Sequence, residues 1–207
     1  MKYQDFVIKN GKFVGEFEKM YQEFPDPWHQ SEEIYYSSLS KRSVCYFIEK
    51  FEINSIVQWG CGLGTTTNYI KKNTNRDIDI LGIDISETAI NKAKKTYPNL
   101  EFKVDNVLNV SKYDKFECIF FSSLTWYILK DKTIDSVFNA MIKKFRDMNK
   151  YFIHVDNFYK GNVQQYGKEY FTSLEEFIEF CPFELLGKVQ IDLERKNDTE
   201  SAAIFKI

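Results

Sequence analysis

Three glycines alternate within one eight-residue stretch of the sequence, VQWGCGLG, which spans residues 57–64. Gly60, Gly62 and Gly64 follow an apolar run, and three threonines come directly after them. Glycine is favoured where the backbone turns with positive φ or where a ligand lies against bare main chain. The stretch therefore predicts a turn that holds a ligand at the end of a buried strand.

A carboxylate follows at Asp84, the last residue of the apolar segment IDILGID. A carboxylate in this position accepts hydrogen bonds from the hydroxyls of a ribose. A dinucleotide-binding loop has the spacing G-x-G-x-x-G, whereas this loop has G-x-G-x-G and Thr65 where that motif has its third glycine. An NAD-dependent oxidoreductase is therefore disfavoured. It stays open as an alternative, as does a binding module without activity.

Length, charge and cysteine spacing narrow the class of protein. The 207 residues are enough for one domain with a core, or for a domain with a lid. A formal net charge of −2 provides no basic field for nucleic acid or an acidic membrane. The first ten residues carry charges and no long apolar run, and no apolar stretch is long enough to span a bilayer, so we expect a cytoplasmic protein without membrane insertion. The four cysteines are widely separated and predict no disulfide framework.

Strand and helix patterns alternate from residue 53 onward, which predicts an α/β fold with a doubly wound, mostly parallel sheet of seven strands. The predicted strands are Ser55–Trp59, Ile78–Asp84, Leu100–Val104, Phe116–Phe121, Tyr151–Val155, Val189–Arg195 and Ala202–Ile207. The predicted helices are Glu32–Phe51, Thr65–Asn73, Glu87–Tyr97, Thr133–Asn149 and Leu174–Phe180. Ligands of such sheets bind at the carboxyl ends of the strands, so the glycine stretch and Asp84 belong to one predicted site.

With these elements in order, the sequence resembles the class I S-adenosylmethionine-dependent methyltransferases. QWGCGLG matches their acidic-x-G-x-G-x-G motif except at Gln58, Asp84 matches their ribose-binding acid, and Asp105-Asn106 matches a motif beside the adenine. The resemblance covers about residues 45–207, including paired antiparallel C-terminal strands, and implies a Rossmann-like fold with S-adenosylmethionine as the cofactor. Because Gln58 brings no charge to the position of the usual acid, we expect weaker cofactor binding.

The segment DPWHQSEEIYYSSLSKR resembles the entry segment of small-molecule methyltransferases related to the nodulation-type N-methyltransferases. The resemblance implies that residues 1–44 form a lid over a cofactor-binding domain at 45–207. It also implies that Trp28 packs beside the cofactor and that Arg42 or Lys41 pairs with its carboxylate; the alternative is a core tryptophan and a solvated charge. The predicted cofactor-binding residues are Trp28, Arg42, Gly60, Cys61, Gly62, Gly64, Asp84, Ile85, Asp105, Asn106, Val107 and Ser122.

Transfer of a methyl group to a hydroxyl needs a base that titrates near neutral pH. The sequence has two histidines, His29 beside Trp28 and His154 in the strand pattern FIHVDN. Asp156 follows two residues later and is suited to bonding a substrate hydroxyl or to orienting His154. We predict His29, His154 and Asp156 as catalytic residues, with a structural role for either histidine as the alternative.

Two loops that follow strands are predicted to bind the methyl acceptor, because loops carry specificity in such folds. The first contributes Trp126 and Tyr127, and the second, polar and rich in tyrosine, contributes Lys160 and Tyr166. Asp156-Asn157 matches half of the Mg²⁺ site of catechol-type methyltransferases. The loop after the fourth strand offers serines instead of a second carboxylate, so we expect no metal.

The resemblance suggests a small polar metabolite as substrate, because the resembling proteins often serve surface-polysaccharide pathways. We expect O-methylation of a sugar, a sugar nucleotide or a phosphate-derived capsule precursor. N-methylation of an amino sugar or another small amine is the alternative. DNA is disfavoured because the fourth motif is not D/N-P-P-[YFW]. A monomer or a homodimer is expected from the habit of the family.

Overall fold

The computed structural model describes residues 2–10, 12–30, 38–159, 167, 169–193 and 198–207. The strands are β1 (Ile8–Lys9), β2 (Lys12–Phe13), β3 (Ser55–Trp59), β4 (Asp79–Asp84), β5 (Glu101–Val104), β6 (Cys118–Ser122), β7 (Tyr151–Tyr159), β8 (Glu184–Leu193) and β9 (Asp198–Lys206). The helices are α1 (Phe17–Glu23), α2 (Leu39–Lys50), α3 (Thr65–Asn73), α4 (Glu87–Thr96), α5 (Thr133–Phe145) and α6 (Leu174–Phe180). None of these helices has the length and apolar character that a membrane span requires.

Strands β3 to β9 form one sheet in the order β5-β4-β3-β6-β7-β9-β8. Strand β3 pairs in parallel with both β4 and β6, and β5 and β7 extend the sheet in parallel on either side. Strand β9 runs antiparallel to both of its neighbours, β7 and β8. The predicted seven-stranded, mostly parallel α/β sheet with an antiparallel C-terminal strand is therefore confirmed.

Buried side chains pack on both faces of the sheet, as expected when parallel strands are covered by helices. Along β3, Val57 and Trp59 join a core cluster with residues of α5 and α6. Ile56 points to the opposite face and joins a cluster with residues of α2 and α3. The period-two alternation of a strand divides β3 between the two layers.

Helix α1 is attached to α4 by polar contacts at the ends of both helices. The Glu18 carboxylate accepts a hydrogen bond from Ser86 Oγ at 2.6 Å, at the N-terminus of α4. In return, Lys92 Nζ donates to the carbonyl oxygens of Tyr21 and Phe24, at 2.5 Å and 3.0 Å, where α1 ends. Because Glu18 also accepts a hydrogen bond from the N–H of Thr88 at 3.2 Å, each helix satisfies backbone end groups that the other leaves without an intrahelical partner.

Several element bounds differ from the sequence prediction. Helix α5 ends at Phe145 and not at Asn149. Asn149 adopts a left-handed φ of 51°, which turns the chain toward β7. Strand β8 begins before the predicted Val189, because a register shift next to Gly187 lets the strand continue. The first part of the helix predicted at Glu32–Phe51 lies outside the described residues, and the boundary predicted between residues 44 and 45 falls inside α2.

Gly64→Ala is expected to lower the free energy of unfolding by more than about 2 kcal/mol, measured by urea denaturation. Gly64 has a φ of 79°, and a Cβ there would lie 2.6 Å from the ring of Phe102. The left-handed conformation alone costs an L-residue roughly 1–2 kcal/mol. Gly187→Ala is the matched control: its Cβ would lie 3.6 Å from Ile204, and we expect a change below about 0.5 kcal/mol. Equal losses in the two variants would contradict the assigned loop geometry.

Candidate active site

A cleft of about 1360 Å³ opens at the carboxyl edge of the sheet. Sites for one small molecule occupy roughly 300–1,000 Å³, so this cleft has room for a cofactor and a second molecule. Its walls come from the loops after β3 to β6, from β7, and from α1 and α2. The chain leaves β3 toward β4 on one side, while β6 lies on the other. The cleft therefore sits at the switch point of the sheet, where open α/β folds bind ligands.

The loop after β3 turns because its three glycines adopt left-handed backbone conformations. Their φ angles are 75° at Gly60, 52° at Gly62 and 79° at Gly64. A Cβ on Gly60 would approach the carbonyl oxygen of Ser122 to 3.0 Å, so glycine is what lets the loop pass the end of β6. Gly60 lines the cleft, whereas Cys61, Gly62 and Gly64 shape the loop from behind the lining.

The carboxylate of Asp84 anchors this loop. Its Oδ2 accepts a hydrogen bond from the backbone N–H of Gly62 at 2.9 Å, and its Oδ1 accepts one from the N–H of Ser86 at 3.0 Å. Burial raises the pKa of Asp84, and these hydrogen bonds oppose that rise. A carboxylate has about four acceptor positions. Asp84 lines the cleft and therefore keeps acceptor capacity for a ligand hydroxyl.

The pair Asp105-Asn106 builds the loop after β5. Asp105 accepts hydrogen bonds from the Tyr113 hydroxyl at 2.5 Å and from the Asn109 amide at 2.7 Å, and Asn106 Oδ1 accepts one from the N–H of Leu108 at 3.0 Å. Burial raises the pKa of Asp105, but the hydrogen bonds outweigh it and hold that pKa below its usual value. Both residues line the cleft. The other predicted cofactor residues on the lining are Trp28, Ile85, Val107 and Ser122.

Arg42 and His29 are exposed and lie away from the cleft. Arg42 is exposed on α2, and the preceding Lys41 lines the cleft in its place, because neighbouring residues of a helix point in different directions. Burial lowers the pKa of Lys41 to about 8, partly opposed by the negative charge of Glu200. His29 is exposed, has a φ of 53°, and contacts the ring of Tyr3 with 6.0 Å between ring centroids. The structure brings neither Arg42 nor His29 to the position of its predicted role.

His154 lies behind the cleft wall, not on it. Its side chain is 0% exposed, and its ring stacks on Phe177 with 3.8 Å between the centroids. Burial lowers the pKa of His154 to about 3, so the imidazole is neutral at physiological pH. The predicted role of His154 as a base in contact with the acceptor does not fit this position.

Asp156, two residues further along β7, does lie on the cleft lining. The residue is 3% exposed; one carboxylate oxygen accepts a hydrogen bond from the N–H of Asn157 at 3.1 Å. The other oxygen, Oδ2, is buried and has no hydrogen-bond partner within the described part of the chain. Burial raises the pKa of Asp156 to about 7, and hydrogen bonds from Asn157 and Thr125 oppose it. A carboxylate that titrates near neutral pH beside a ligand cleft has the properties of a general base.

The structure also brings Trp126 and Tyr127 to the cleft. The ring of Tyr127 packs against that of Trp28, with 5.9 Å between the centroids. Tyr127 therefore joins the loop after β6 to the N-terminal segment. Lys160 and Tyr166, the other two predicted acceptor-binding residues, lie outside the described residues.

Gln58, at the position of the usual acid, is fully buried and does not line the cleft. Its Oε1 accepts a hydrogen bond from Thr67 Oγ1 at 2.8 Å, and its Nε2 has no partner among the residues that the structure describes. Gln58 therefore ties β3 to α3. The weaker cofactor binding expected from it stays a prediction.

The lining residues that sequence reasoning missed include Tyr21, Gln30 and Trp59. A Cβ on Gly62 would lie 2.7 Å from the Tyr21 hydroxyl, and Gln30 accepts a hydrogen bond from the N–H of Leu63 at 3.3 Å, so both cover the glycine loop. The indole N–H of Trp59 is buried without a partner in the described chain. The only signal in the sequence was an aromatic residue directly before the first glycine.

Comparison with known proteins gives one family match and one curated relative. Residues 56–147 match the family model described as a methyltransferase domain. The protein named "Putative methyltransferase 235L" from Invertebrate iridescent virus 6 is 27% identical over 173 residues, which cover 78% of this chain. The chain spans 62% of the length of that relative.

Solved structures share the fold. The N-methyltransferase NodS from Bradyrhizobium japonicum, in complex with S-adenosyl-L-homocysteine, aligns with a TM-score of 0.65 at 14% identity, over 91% of this chain and 97% of that one. A TehB-like SAM-dependent methyltransferase from Corynebacterium glutamicum aligns with a TM-score of 0.61 at 15% identity, over 90% and 97% of the two chains. At these identities the likeness shows the fold alone.

The family match and the local geometry agree on the same part of the chain. The matched segment contains the glycine loop, Asp84 and the loop after β5, which together form one side of the cleft. Residues 56–147 therefore match a methyltransferase domain, and the chain has the fold of known S-adenosylmethionine-dependent methyltransferases.

Proposed function

We propose that the chain transfers a methyl group from S-adenosylmethionine to a hydroxyl group of a small polar metabolite. The observation that carries the proposal is the buried carboxylate of Asp156, with a pKa raised to about 7, on the lining of a cleft with room for two molecules. The cofactor supplies a methyl group activated by a positively charged sulfur. The protein has to align the acceptor and remove its proton.

The residues near the glycine loop fit the polar groups of the cofactor. Asp84 has acceptor positions left for the ribose hydroxyls, and Ile85 and Val107 offer apolar surface to the adenine. Lys41 supplies positive charge for the carboxylate. The buried N–H of Trp59, which lacks a partner among the described residues, would be satisfied by an acceptor atom of a ligand.

Asp156 supplies the base in this proposal. An acceptor hydroxyl that forms a bond to the methyl carbon loses its proton, and a carboxylate oxygen of Asp156 takes it. A pKa of about 7 leaves a large fraction of the carboxylates ionised at neutral pH, yet makes them stronger bases than an ordinary aspartate. The proton leaves Asp156 for solvent after the methylated product departs.

The class of acceptor is proposed from the sequence resemblance to methyltransferases of surface polysaccharides. A sugar, a sugar nucleotide or a phosphate-derived precursor of a capsule heads the proposal, and such precursors would place the reaction in the cytoplasm. A cleft with both aromatic and hydrogen-bonding lining suits a sugar ring, which has apolar faces and polar edges.

A small amine, such as an amino sugar, is the second candidate acceptor, and the charges on the cleft favour it. The charged residues on the described lining are Lys41, Asp84, Asp105, Asp156 and Glu200. A lining with more carboxylates than ammonium groups attracts a protonated amine and repels a phosphate. Asp156 would then take the proton of the ammonium group before transfer.

Lys41→Ala is expected to weaken binding of S-adenosylhomocysteine about tenfold, because it removes a charge that faces the cofactor carboxylate. Since the pKa of Lys41 is lowered to about 8, affinity of the unaltered chain should fall as pH rises through that value, and the variant should lack this dependence. The measurement is calorimetric titration. Arg42→Ala, on the exposed side of α2, is the matched control and should bind within about twofold of the unaltered chain. A larger loss of affinity in the Arg42 variant than in the Lys41 variant would show that Arg42, and not Lys41, binds the cofactor carboxylate.

Asp156→Asn is expected to lower the methyl-transfer rate at least about 100-fold while leaving affinity for S-adenosylhomocysteine unchanged. The rate of the unaltered chain should rise with pH and level off above about 7, because the ionised carboxylate is the active form. The assay follows S-adenosylhomocysteine production with sugars, nucleoside diphosphate sugars and amino sugars. Asp114→Asn, which removes an exposed carboxylate paired with Lys144, is the control and should keep full rate. A nearly full rate in the Asp156 variant would eliminate Asp156 as the base.

A further inference from the structure

His154, Thr125 and Asp156 form a buried cluster behind the cleft lining. His154 Nε2 lies 2.8 Å from Thr125 Oγ1 and 3.7 Å from Asp156 Oδ2. Thr125 is 1% exposed, so water does not compete for its hydroxyl. Burial raises the pKa of Asp156, whereas Thr125, through its backbone and its hydroxyl, lowers it. The cluster therefore connects a histidine that does not reach the cleft to a carboxylate that does.

The surroundings of the His154 ring determine which nitrogen carries the proton. The ring stacks on Phe177, and Nδ1 is buried with no hydrogen-bond partner in the described chain. A buried N–H without an acceptor is rarer and costlier than a bare acceptor atom. The proton of the neutral ring therefore belongs on Nε2, which donates to Thr125 Oγ1.

This tautomer directs the hydroxyl of Thr125. When His154 Nε2–H donates to Oγ1, the hydroxyl keeps its own hydrogen for another acceptor. Asp156 offers a nearby acceptor, because its Oδ2 lies 3.7 Å from the same Nε2 and has no hydrogen-bond partner in the described structure. Thr125 also lowers the pKa of this carboxylate. Hydrogen-bond donors linked in series polarise one another, so this series from His154 through Thr125 favours the ionised form of the Asp156 carboxylate.

We propose that Thr125 and His154 are positioning residues that hold the Asp156 carboxylate ready to take the proton of the methyl acceptor. The inference rests on the proposed function of Asp156 as the base. Neither residue touches the acceptor: His154 orients the Thr125 hydroxyl, and the hydroxyl orients the carboxylate. This arrangement gives a buried histidine and a buried threonine a common role that packing alone does not explain.

Among the described titratable groups near Asp156, Lys41 changes charge in a neighbouring pH range, because its pKa is lowered to about 8. His154 on the same strand stays neutral because burial lowers its pKa to about 3, and burial raises the pKa of Tyr127, in the turn after β6, far above neutral. Lys41 of α2 and Glu200 of β9 are the other charged groups on this part of the lining. Because Lys41 is present in both the unaltered chain and the Thr125 variants, a difference between their Asp156 titrations is assigned to the lost hydroxyl.

The test is ¹³C NMR of the full chain labelled at the aspartate carboxyl groups, titrated across neutral pH, with Asp156→Asn used to assign the signal. Thr125→Val should raise the midpoint of the Asp156 titration by about one pH unit, because the hydroxyl favours the charged form. Thr125→Ser restores the hydroxyl and should return the midpoint to that of the unaltered chain. His154→Phe keeps the stacked ring without the N–H and should also raise the midpoint. In the methyl-transfer assay, Thr125→Val should lower kcat and move the pH–rate midpoint upward by the same amount.

A second measurement needs no substitution at Thr125. ¹⁵N NMR of the unaltered chain should show His154 as the Nε2–H tautomer, and the Nδ1–H tautomer would overturn the proposal. An Asp156 midpoint that is the same in Thr125→Val and in the unaltered chain would also overturn it. Full activity of Asp156→Asn would refute the base itself. An inactive Asp156→Asn together with an unmoved midpoint in Thr125→Val would refute only the positioning role.

Discussion

The rest of the site depends on the hydrogen bond between the Asp84 carboxylate and the backbone N–H of Gly62. It links the end of β4 to the glycine loop after β3, and the second carboxylate oxygen holds the N–H of Ser86 at the start of α4. Glu18 of α1 accepts a hydrogen bond from Ser86 at this same helix end, so the N-terminal segment is attached next to the residue that Asp84 holds. One partly buried carboxylate therefore positions the loop and the start of a helix, to which the N-terminal segment is also bound.

Two aspartates in one cleft have different surroundings, and their proposed roles differ for that reason. Burial raises the pKa of both. For Asp84, backbone N–H groups donate to both carboxylate oxygens and oppose the rise in pKa. Asp84 is therefore suited to bind hydroxyls as an anion. Asp156 keeps one oxygen without a hydrogen-bond partner in the described structure, and its pKa is raised to about 7, which suits it to exchange a proton. Such a division of roles by environment is a recurrent feature of sites with paired carboxylates.

The fold, and the part of the cleft formed by the glycine loop and Asp84, could be predicted from the sequence because the signals for them are local. Alternating elements, clustered glycines and Asp84 at a strand end can each be recognised within a short stretch of sequence, without knowledge of the packing. The wrong predictions concern residues whose role depends on the direction of the side chain or on its distance from the edge of the sheet. Lys41 and Arg42 are neighbours, and only the rotation of α2 selects which one meets the cleft. His154 and Asp156 share one face of β7, and the pattern of a strand assigns the face but not the distance from the sheet edge. Tyr21 is missed because a buried aromatic on a short helix resembles ordinary core.

The most direct test of the account is a calorimetric titration of the purified chain with S-adenosylhomocysteine and with NAD, repeated on Asp84→Ala and on Asp79→Ala. Asp79 is the exposed first residue of the same strand, at the edge of the sheet away from the cleft, and serves as the control. We expect micromolar binding of S-adenosylhomocysteine that is lost in the Asp84 variant and kept in the Asp79 variant, and no binding of NAD. Binding of NAD in place of S-adenosylhomocysteine, or equal affinity in all variants, would contradict the assignment of the glycine loop and Asp84 as the cofactor site.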